Sequence, residues 1–229
     1  MRVGILAHSL PAAVNIYEEL RAIDGVKVFV LLSPLPNESG ARTDLKHVAR
    51  LLLKPGRRSS LRLLASGRVV PLRSPLEHPA NLSRLKKLNL DIGIHKSGLI
   101  YREPVINLFR LGILNPHIGL LPAYRGRHVM EWSLLQGNPV GVTVFFVDSG
   151  IDTGERIVLS EVIDIRNCNS IDEAKQQLFD ADAKLLKRAI EMLRADETTF
   201  ARNDGTGRRY YVMSKLFRGV VEQLVKDNY

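Results

Sequence analysis

Cysteines and long apolar runs are scarce in this chain, and both absences narrow its class. The 229 residues include one cysteine, Cys168, which excludes an internal disulfide framework and a cysteine-based metal cluster. No stretch reaches the roughly eighteen uninterrupted apolar residues of a membrane helix, and the first apolar run is soon followed by charged residues. The sequence therefore predicts a cytoplasmic protein with neither a signal peptide nor an integral membrane segment.

Internal repeats, low-complexity tracts and linker-like breaks are also missing. Apolar residues make up 45% of the chain and charged residues 25%, which is close to the average for globular proteins and unlike disordered ones. A length of 229 residues fits one large core better than two full domains. We expect a single domain over residues 1–229.

The net charge of +9 is concentrated in one segment of the chain. Between Arg42 and Arg73 there are nine basic residues and one acidic residue, Asp44, while the rest of the chain is nearly neutral. Such a segment fits the phosphates of a nucleotide-linked substrate, RNA or an anionic membrane surface. A basic insertion at about 42–73 that merely faces solvent is an equally good interpretation.

Short apolar runs alternate with amphipathic stretches along most of the chain. Near-continuous apolar runs of this kind predict a mostly parallel sheet with helices on both faces, and hence an α/β fold; they lie at 1–7, 26–32, 91–96, 112–115 and 141–148. The run at 155–164 follows 141–148 after a tight turn, which predicts an antiparallel pair near a sheet edge.

The C-terminal third has a different pattern, dominated by helices. Ser170 and Glu173 have the spacing of a capping box, which predicts a long helix that ends near Ala195. A turn, a short strand and a final helix are expected at about 205–229. In this region Arg208-Arg209 beside Tyr210-Tyr211 resembles a patch for stacking and phosphate binding, although packing of the two rings on a terminal strand is the favoured interpretation.

Polar residues able to catalyse acyl transfer follow the predicted strand 112–115. Asn115 and His117 lie just beyond its carboxyl end, where open α/β sheets bind ligands, and the period of two places them on one side. An amide can bind a developing oxyanion, and an imidazole can manage the proton of an attacking amine. A carboxylate near the imidazole would orient it, and the turn DSGIDTG offers Asp148 or Asp152. The spacing to Glu155 does not fit a calcium loop, so no metal is expected.

Together these motifs resemble the signature of the folate-dependent formyltransferase superfamily, which includes methionyl-tRNA formyltransferase, glycinamide ribonucleotide transformylase and sugar N-formyltransferases. The matching residues are Asn115, His117, Leu120-Leu121-Pro122, Tyr124-Arg125-Gly126 and Asp152-Thr153-Gly154. The resemblance implies a Rossmann-like fold and 10-formyltetrahydrofolate as formyl donor. It also implies that Asn115 binds the formyl oxygen, that His117 stabilises the charge developing there, and that Asp152 pairs with His117 and relays the proton.

The resemblance further implies where the folate binds. Two segments would line the pterin pocket, with backbone groups as the main contacts: Gly98, Leu99, Ile100 and Tyr101, and Val147, Asp148, Ser149, Gly150 and Ile151.

The sequence departs from the family pattern in three ways; the first concerns loop geometry, and the other two bear on the acceptor. Pro116 precedes His117, whereas the family usually has proline after the histidine. The first strand–helix loop lacks a glycine-rich phosphate cradle, which disfavours glycinamide ribonucleotide. The chain is also short for the additional C-terminal domain of methionyl-tRNA formyltransferases.

We therefore expect an amino sugar nucleotide, or another small amine, as acceptor. Methionyl-tRNA formyltransferase activity, with tRNA as a possible partner, is the alternative, favoured by LLPAYRG and the basic charge. A second alternative is a non-catalytic α/β module that binds RNA or an anionic membrane through 42–73.

Overall fold

The computed structural model describes residues 1–33, 57–204 and 206–227. Residues 42–56 of the predicted basic insertion lie outside these ranges, as do 205, 228 and 229 of the predicted C-terminal strand and helix. The fold is α/β with a mostly parallel sheet, which confirms the predicted class. The chain divides into two compact units, Met1–Leu114 and Asn115–Tyr229, and each is described by itself.

The first unit contains a parallel sheet. Its strands are β1 (Arg2–Ala7), β2 (Lys27–Leu32), β3 (Val69–Pro71), β4 (Leu90–Lys96) and the start of β5 (Phe109–His117). Their order is β3-β2-β1-β4-β5, and every neighbouring pair is parallel. In the central ladder Ile5 is the register partner of Val30 on one side and Ile94 on the other, and all three are fully buried. Burial on both faces explains why these strands are apolar throughout.

The helices of the first unit are α1 (Leu10–Arg21), α2 (Arg57–Ala65), α3 (Pro79–Leu88) and α4 (Glu103–Ile106). The His78 Nδ1 atom accepts the Ala80 N–H at the start of α3, and Asn89 ends that helix with a positive φ of 45°. α4 is a single turn, because β5 begins already at Phe109, which is buried and pairs with Leu90 of β4.

The strands of the second unit are β6 (Tyr124–Gly126), β7 (Gly141–Phe146), β8 (Arg156–Val162), β9 (Ala201–Arg202) and β10 (Arg208–Tyr210). β7 and β8 are antiparallel, as the sequence predicts, and β9 adds to β8 in the same sense. Every residue of β7 is buried. β10 and β6 form a separate parallel pair.

The helices of the second unit are α5 (Val129–Leu135), α6 (Ile171–Ala195) and α7 (Lys215–Lys226). The predicted N-terminal cap of α6 is confirmed in its serine half: the Ser170 Oγ atom accepts the Glu173 N–H at 3.1 Å. The Glu173 carboxylate accepts the N–H of Asn169, the residue before the cap, at 2.7 Å. Asp196 ends α6 in the left-handed region. Within the described ranges, no helix is both long and apolar enough to cross a bilayer.

Candidate active site

Strand β5 carries two of the predicted catalytic residues at its carboxyl end. The sequence placed Asn115 and His117 just beyond the strand, but both belong to it, because the backbone stays extended through Pro116. The register pairs with β4 end at Leu114, and Asn115 is the first residue of the second unit. As expected from the period of two, Asn115 and His117 point to the same side.

The Asp152 carboxylate is the point at which the predicted trio meets. Its Oδ1 atom accepts a hydrogen bond from Asn115 Nδ2 at 3.3 Å and lies 3.6 Å from His117 Nδ1. Its Oδ2 atom accepts the Gly126 N–H at 2.9 Å. The side chains of His117 and Asp152 are 8% and 12% exposed, so these interactions are largely shielded from solvent. The second unit therefore brings all three residues into one cluster.

The orientation of His117 follows from its other nitrogen. The Nε2 atom lies 2.8 Å from the Tyr124 carbonyl oxygen, and a carbonyl oxygen only accepts. Nε2 therefore carries a hydrogen, and Nδ1 is the nitrogen that faces Asp152. In the neutral ring Nδ1 is unprotonated, while in the imidazolium its proton points toward the carboxylate and forms an ion pair. The ring also meets Phe145 edge-on, with the ring centroids 6.4 Å apart.

The loop after β5 is held close to His117 by residues that the sequence did not single out. Thr143 of β7 is fully buried; its Oγ1 donates to the Gly119 carbonyl and accepts the Leu121 N–H. A side chain at Gly119 would place its Cβ 2.7 Å from His117 Nε2 and 2.8 Å from the Tyr124 carbonyl oxygen. Glycine is therefore required there for the hydrogen bond that orients the imidazole.

The turn that carries Asp152 is stabilised in a similar way. Asp152 has a positive φ of 52°, which is uncommon for a residue with a side chain. The buried Asn203 donates from Nδ2 to the carbonyl oxygens of Asp152 and Gly154, at 3.2 and 3.1 Å. Asn203 lies far away in sequence, and only its amide, typical of turn stabilisation, hinted at this role.

Asp148, the other candidate carboxylate of this turn, has a different environment. It is exposed, and its Oδ1 atom accepts hydrogen bonds from the Gly150 N–H and the Thr153 hydroxyl, both at 2.8 Å. These contacts shape the turn itself. Asp152 therefore contacts Asn115 and lies near His117, whereas Asp148 forms hydrogen bonds within its own turn, in the loop Val147–Ile151.

The two predicted folate-binding segments lie in different units, so their common pocket stays a prediction. In the first unit the Tyr101 hydroxyl is within hydrogen-bond distance of His95 Nδ1 and Ser97 Oγ, at 2.8 and 2.7 Å. Burial raises the pKa of Tyr101 well above its usual value, although the bond to Ser97 acts in the opposite direction. Its side chain therefore stays inside its own unit, whereas Ile100 is exposed and Gly98 adopts a positive φ of 68°.

Metal ligands are not grouped in the part of the chain that the structure describes. There, no set of three or more histidine, cysteine, aspartate or glutamate side chains is placed to hold an ion.

Known proteins similar to this chain have formyl transfer in common. A family model described as formyl transferase matches residues 65–190. The methionyl-tRNA formyltransferase of Azobacteroides pseudotrichonymphae is 31% identical over 173 residues, which cover 71% of this chain and 52% of that protein. That of Syntrophus aciditrophicus is 30% identical over 165 residues, covering 70% and 53%. The chain thus spans about half the length of the curated relatives it matches.

Solved structures show the same fold at lower identity. A 4-N formyltransferase from Francisella tularensis has a TM-score of 0.66 at 13% identity, covering 98% of this chain and 87% of that one. A phosphoribosylglycinamide formyltransferase from Bacillus halodurans has a TM-score of 0.63 at 21% identity, covering 86% and 97%. The formyltransferase PseJ from Anoxybacillus kamchatkensis, in complex with UDP-4,6-dideoxy-4-formamido-L-AltNAc and tetrahydrofolate, has a TM-score of 0.56 at 16% identity and covers 100% of both chains.

The predicted family and its Rossmann-like fold are both confirmed. The structural neighbours share the α/β formyltransferase fold with its mostly parallel sheet. The family model covers more than half of the sequence, including the segment with Asn115, His117 and Asp152. This chain belongs to the formyl transferase family.

Proposed function

We propose that this chain transfers a formyl group from 10-formyltetrahydrofolate to an acceptor amine. The observation that carries the proposal is the Asp152 carboxylate, which is bound by Asn115 and the Gly126 N–H and faced by His117 Nδ1. An amide, an imidazole and a carboxylate in one shielded cluster are sufficient for acyl transfer to an amine.

Asn115 and His117 would stabilise the negative charge that develops on the formyl oxygen. One N–H of the Asn115 amide is directed at Asp152, which leaves the second for the formyl oxygen. His117 with a proton on Nδ1 adds a positive charge beside the reacting group, and the Tyr124 carbonyl keeps its ring in place. Both groups are positioned before the reaction begins, so little reorganisation accompanies charge development.

Asp152 would accept the proton that the amine loses. As the amine nitrogen forms its bond to the formyl carbon, the bond from that carbon to the folate nitrogen breaks, and the proton passes from the amine to the folate nitrogen. Asp152 is the carboxylate of the trio and so the proposed base, and His117 Nδ1 lies 3.6 Å from its Oδ1 atom to share the charge. The folate, when bound, supplies the activated formyl group.

The residues proposed to hold the folate offer mainly backbone groups. Residues 148–150 are exposed, and a Cβ at the exposed Gly98 would meet nothing within 4 Å, so there is space for a ligand next to the backbone at these positions. Donors and acceptors on an exposed backbone fit the edge of a pterin ring. We assign this role to residues 98–101 and 147–151 on the family resemblance.

An amino sugar nucleotide, or another small amine, is the proposed acceptor. The PseJ structure supports this choice, since it contains a UDP-linked formamido sugar and matches this chain over its full length. Methionyl-tRNA is the second candidate, because the curated relatives at 30–31% identity are methionyl-tRNA formyltransferases.

The test is conversion of 10-formyltetrahydrofolate to tetrahydrofolate by the purified protein, with amino sugar nucleotides, charged tRNA and small amines as separate acceptors. We expect turnover with one acceptor class, a product heavier by one formyl group, and loss of turnover in His117→Ala. Absence of both turnover and folate binding would refute the proposal and favour a non-catalytic module that binds RNA or an anionic membrane through 42–73.

A further inference from the structure

The short strands β6 and β10 form a two-stranded ribbon directly beside the trio. Their register pairs Arg208 with Tyr124, Arg209 with Arg125 and Tyr210 with Gly126. The Arg127 N–H donates to the Tyr210 carbonyl at 3.1 Å and continues the ladder by one residue. We refer to residues 124–127 and 208–211 as the β6–β10 ribbon.

One face of the ribbon is packed and aromatic. Tyr124 and Tyr210 are both buried and stack with their ring centroids 5.4 Å apart, and Trp132 lies 5.6 Å from the Tyr210 ring. Both tyrosine hydroxyls donate to Gln136 Oε1. For Tyr210, the favoured interpretation of the sequence, ring packing on a terminal strand, is confirmed.

The other face is basic: Arg209 is exposed, and Arg125 is half-buried, with its Nε–H donated to the Gly207 carbonyl at 2.6 Å. Successive residues of a strand point to opposite sides, so Arg125 and Arg209 face away from the packed rings. Tyr211 follows on that side; the residue is 65% exposed, and the Arg209 guanidinium carbon lies over its ring, 5.2 Å from the centroid. The Trp132 Nε1–H donates to the Tyr211 carbonyl, which fixes the backbone beneath the exposed ring. The packing interpretation therefore fails for Tyr211.

The positive charge on this face is not balanced by acidic residues. Arg125 and Arg209 are direct register partners, and like charges in that arrangement repel. No ion pair to Arg125, Arg127 or Arg209 occurs among the residues that the structure describes. Asp204, in the turn before β10, binds the N–H and hydroxyl of Thr206 instead. Unbalanced guanidinium groups on a rigid ribbon fit a ligand with several negative charges.

Gly126 connects the basic face to the cluster of Asn115, His117 and Asp152. Gly126 lies between Arg125 and Arg127, and its N–H is the donor to Asp152 Oδ2. A molecule whose phosphates bind the basic face would thus extend from a point one residue away from the catalytic carboxylate.

We propose that Arg125, Arg127, Arg209 and Tyr211 form the subsite for a nucleoside diphosphate group that carries the acceptor amine. This inference rests on the proposed formyl transfer and names the chemistry of its acceptor. The arginines bind the two phosphates, and Tyr211 stacks on the base. The patch has one exposed ring and three cations, which matches one nucleotide unit; extended RNA is bound by longer basic tracks with several stacking rings.

The test is calorimetric titration of the full chain with uridine diphosphate, adenosine diphosphate and inorganic pyrophosphate, without folate. The variants are Arg127→Ala/Arg209→Ala, Arg209→Lys and Tyr211→Ala. Lys184→Ala is the matched control, since it removes an exposed positive charge from α6 of the same unit. Thermal unfolding of each variant establishes that it is folded.

We expect the double arginine variant to weaken binding of all three probes about tenfold or more. Arg209→Lys should bind the probes more tightly than the double variant and less tightly than the wild type, because lysine keeps the charge but lacks the planar guanidinium group. Tyr211→Ala should weaken the nucleoside diphosphates about fivefold or more and leave pyrophosphate within about twofold, as removal of a stacking platform predicts. Lys184→Ala should change none of these affinities by more than about twofold.

Three results would overturn the inference. The first is no diphosphate binding by the wild type, and the second is an equal loss in Lys184→Ala. The third is a preference for a single-stranded oligoribonucleotide over the diphosphates, which would favour RNA. The outcome is separable from that of the proposed function: diphosphate binding at the ribbon without formyl transfer refutes the function and the acceptor role, but leaves the diphosphate subsite. Formylation of a phosphate-free amine without diphosphate binding refutes only the ribbon subsite.

Discussion

The sheet of the first unit is stabilised by one kind of interaction, and the polar cluster of Asn115, His117 and Asp152 in the second unit by another. In the sheet, Ile5, Val30 and Ile94 lie side by side in one parallel ladder, and all three are fully buried. In the cluster, His117, Asp152 and Asn203 are held by specific hydrogen bonds to carbonyl and carboxylate oxygens. Apolar burial tolerates many side chains of similar size, whereas each of these hydrogen bonds depends on one donor and one acceptor. Substitutions in the two regions should therefore separate loss of stability from loss of activity.

The largest effect is expected at the centre of the cluster. Asp152→Asn keeps the size of the side chain but removes the charge and the proton acceptor, and we expect turnover to fall by about 10²–10⁴. Single-turnover kinetics with 10-formyltetrahydrofolate measures this loss. Asp164→Asn, which changes an exposed carboxylate of the same unit, should retain turnover within about twofold. More than a tenth of the wild-type rate in Asp152→Asn would contradict the role of the carboxylate.

In the sheet, stability rather than chemistry should be affected. Ile5→Ala removes a fully buried side chain from the central strand β1, and we expect unfolding in urea to become easier by about 2–5 kcal/mol. Ile5→Val leaves most of the contacts, and its expected cost is about 0.5–1.5 kcal/mol. Equal midpoints for the two variants would show that the ladder is less tightly packed than its burial indicates.

At Gly119 a substitution should affect both stability and turnover. In Gly119→Ala the new Cβ would meet His117 Nε2 at 2.7 Å and the Tyr124 carbonyl oxygen at 2.8 Å. We expect about 1–3 kcal/mol of lost stability from overpacking, together with slower turnover because the imidazole is displaced. The control is Gly219→Ala in α7, where a Cβ meets nothing within 4 Å; it should add up to about 1 kcal/mol of stability and leave turnover unchanged. Parallel urea and kinetic measurements distinguish the two.

The smallest effect is expected at the start of β4, where the charge of Asp91 contributes to stability. Although burial alone would raise the pKa of Asp91, the Arg2 N–H and the Arg110 guanidinium hold it below its ordinary value. A lowered pKa in the folded state means that the carboxylate stabilises the fold above its unfolded-state pKa. This contribution is lost as the pH falls through the folded-state pKa.

Unfolding of wild type and Asp91→Asn, compared at neutral pH and near pH 3, measures that contribution. We expect a difference of less than about 1 kcal/mol at neutral pH, since Arg110 is largely exposed, and a smaller difference in acid. A difference that grows as the pH falls would mean that the sign of the pKa shift is wrong.

Much of the fold follows from local patterns. The apolar runs at 26–32, 91–96 and 141–148 became strands, and Ser170 with Glu173 became the N-terminal cap of α6. These features depend on burial and on contacts between residues close in sequence, so they can be predicted from the sequence. The length of α4 does not follow from a local pattern, because the early start of β5 at Phe109 is set by pairing with β4.

The sequence predicted residues that the structure brings together, but not the residues that hold them in place. Residue chemistry left Asp148 and Asp152 open, and the family resemblance selected Asp152, which is the one that contacts Asn115. Thr143 and Asn203 were not identified. Asn203 forms a hydrogen bond with a residue 51 positions away, and no local pattern in the sequence indicates a contact over that separation.

The sequence by itself determined the α/β class and the family, and it nominated Asn115, His117 and Asp152 as one site, because apolar periodicity and closely spaced motifs are local properties. Only the tertiary structure decided which His117 nitrogen faces the carboxylate and which of two adjacent tyrosines is buried. Tyr210 and Tyr211 are the same residue in the same segment, yet the alternation of strand β10 against β6 buries one ring and exposes the other. That choice depends on pairing between strands more than eighty residues apart, which a single sequence does not record.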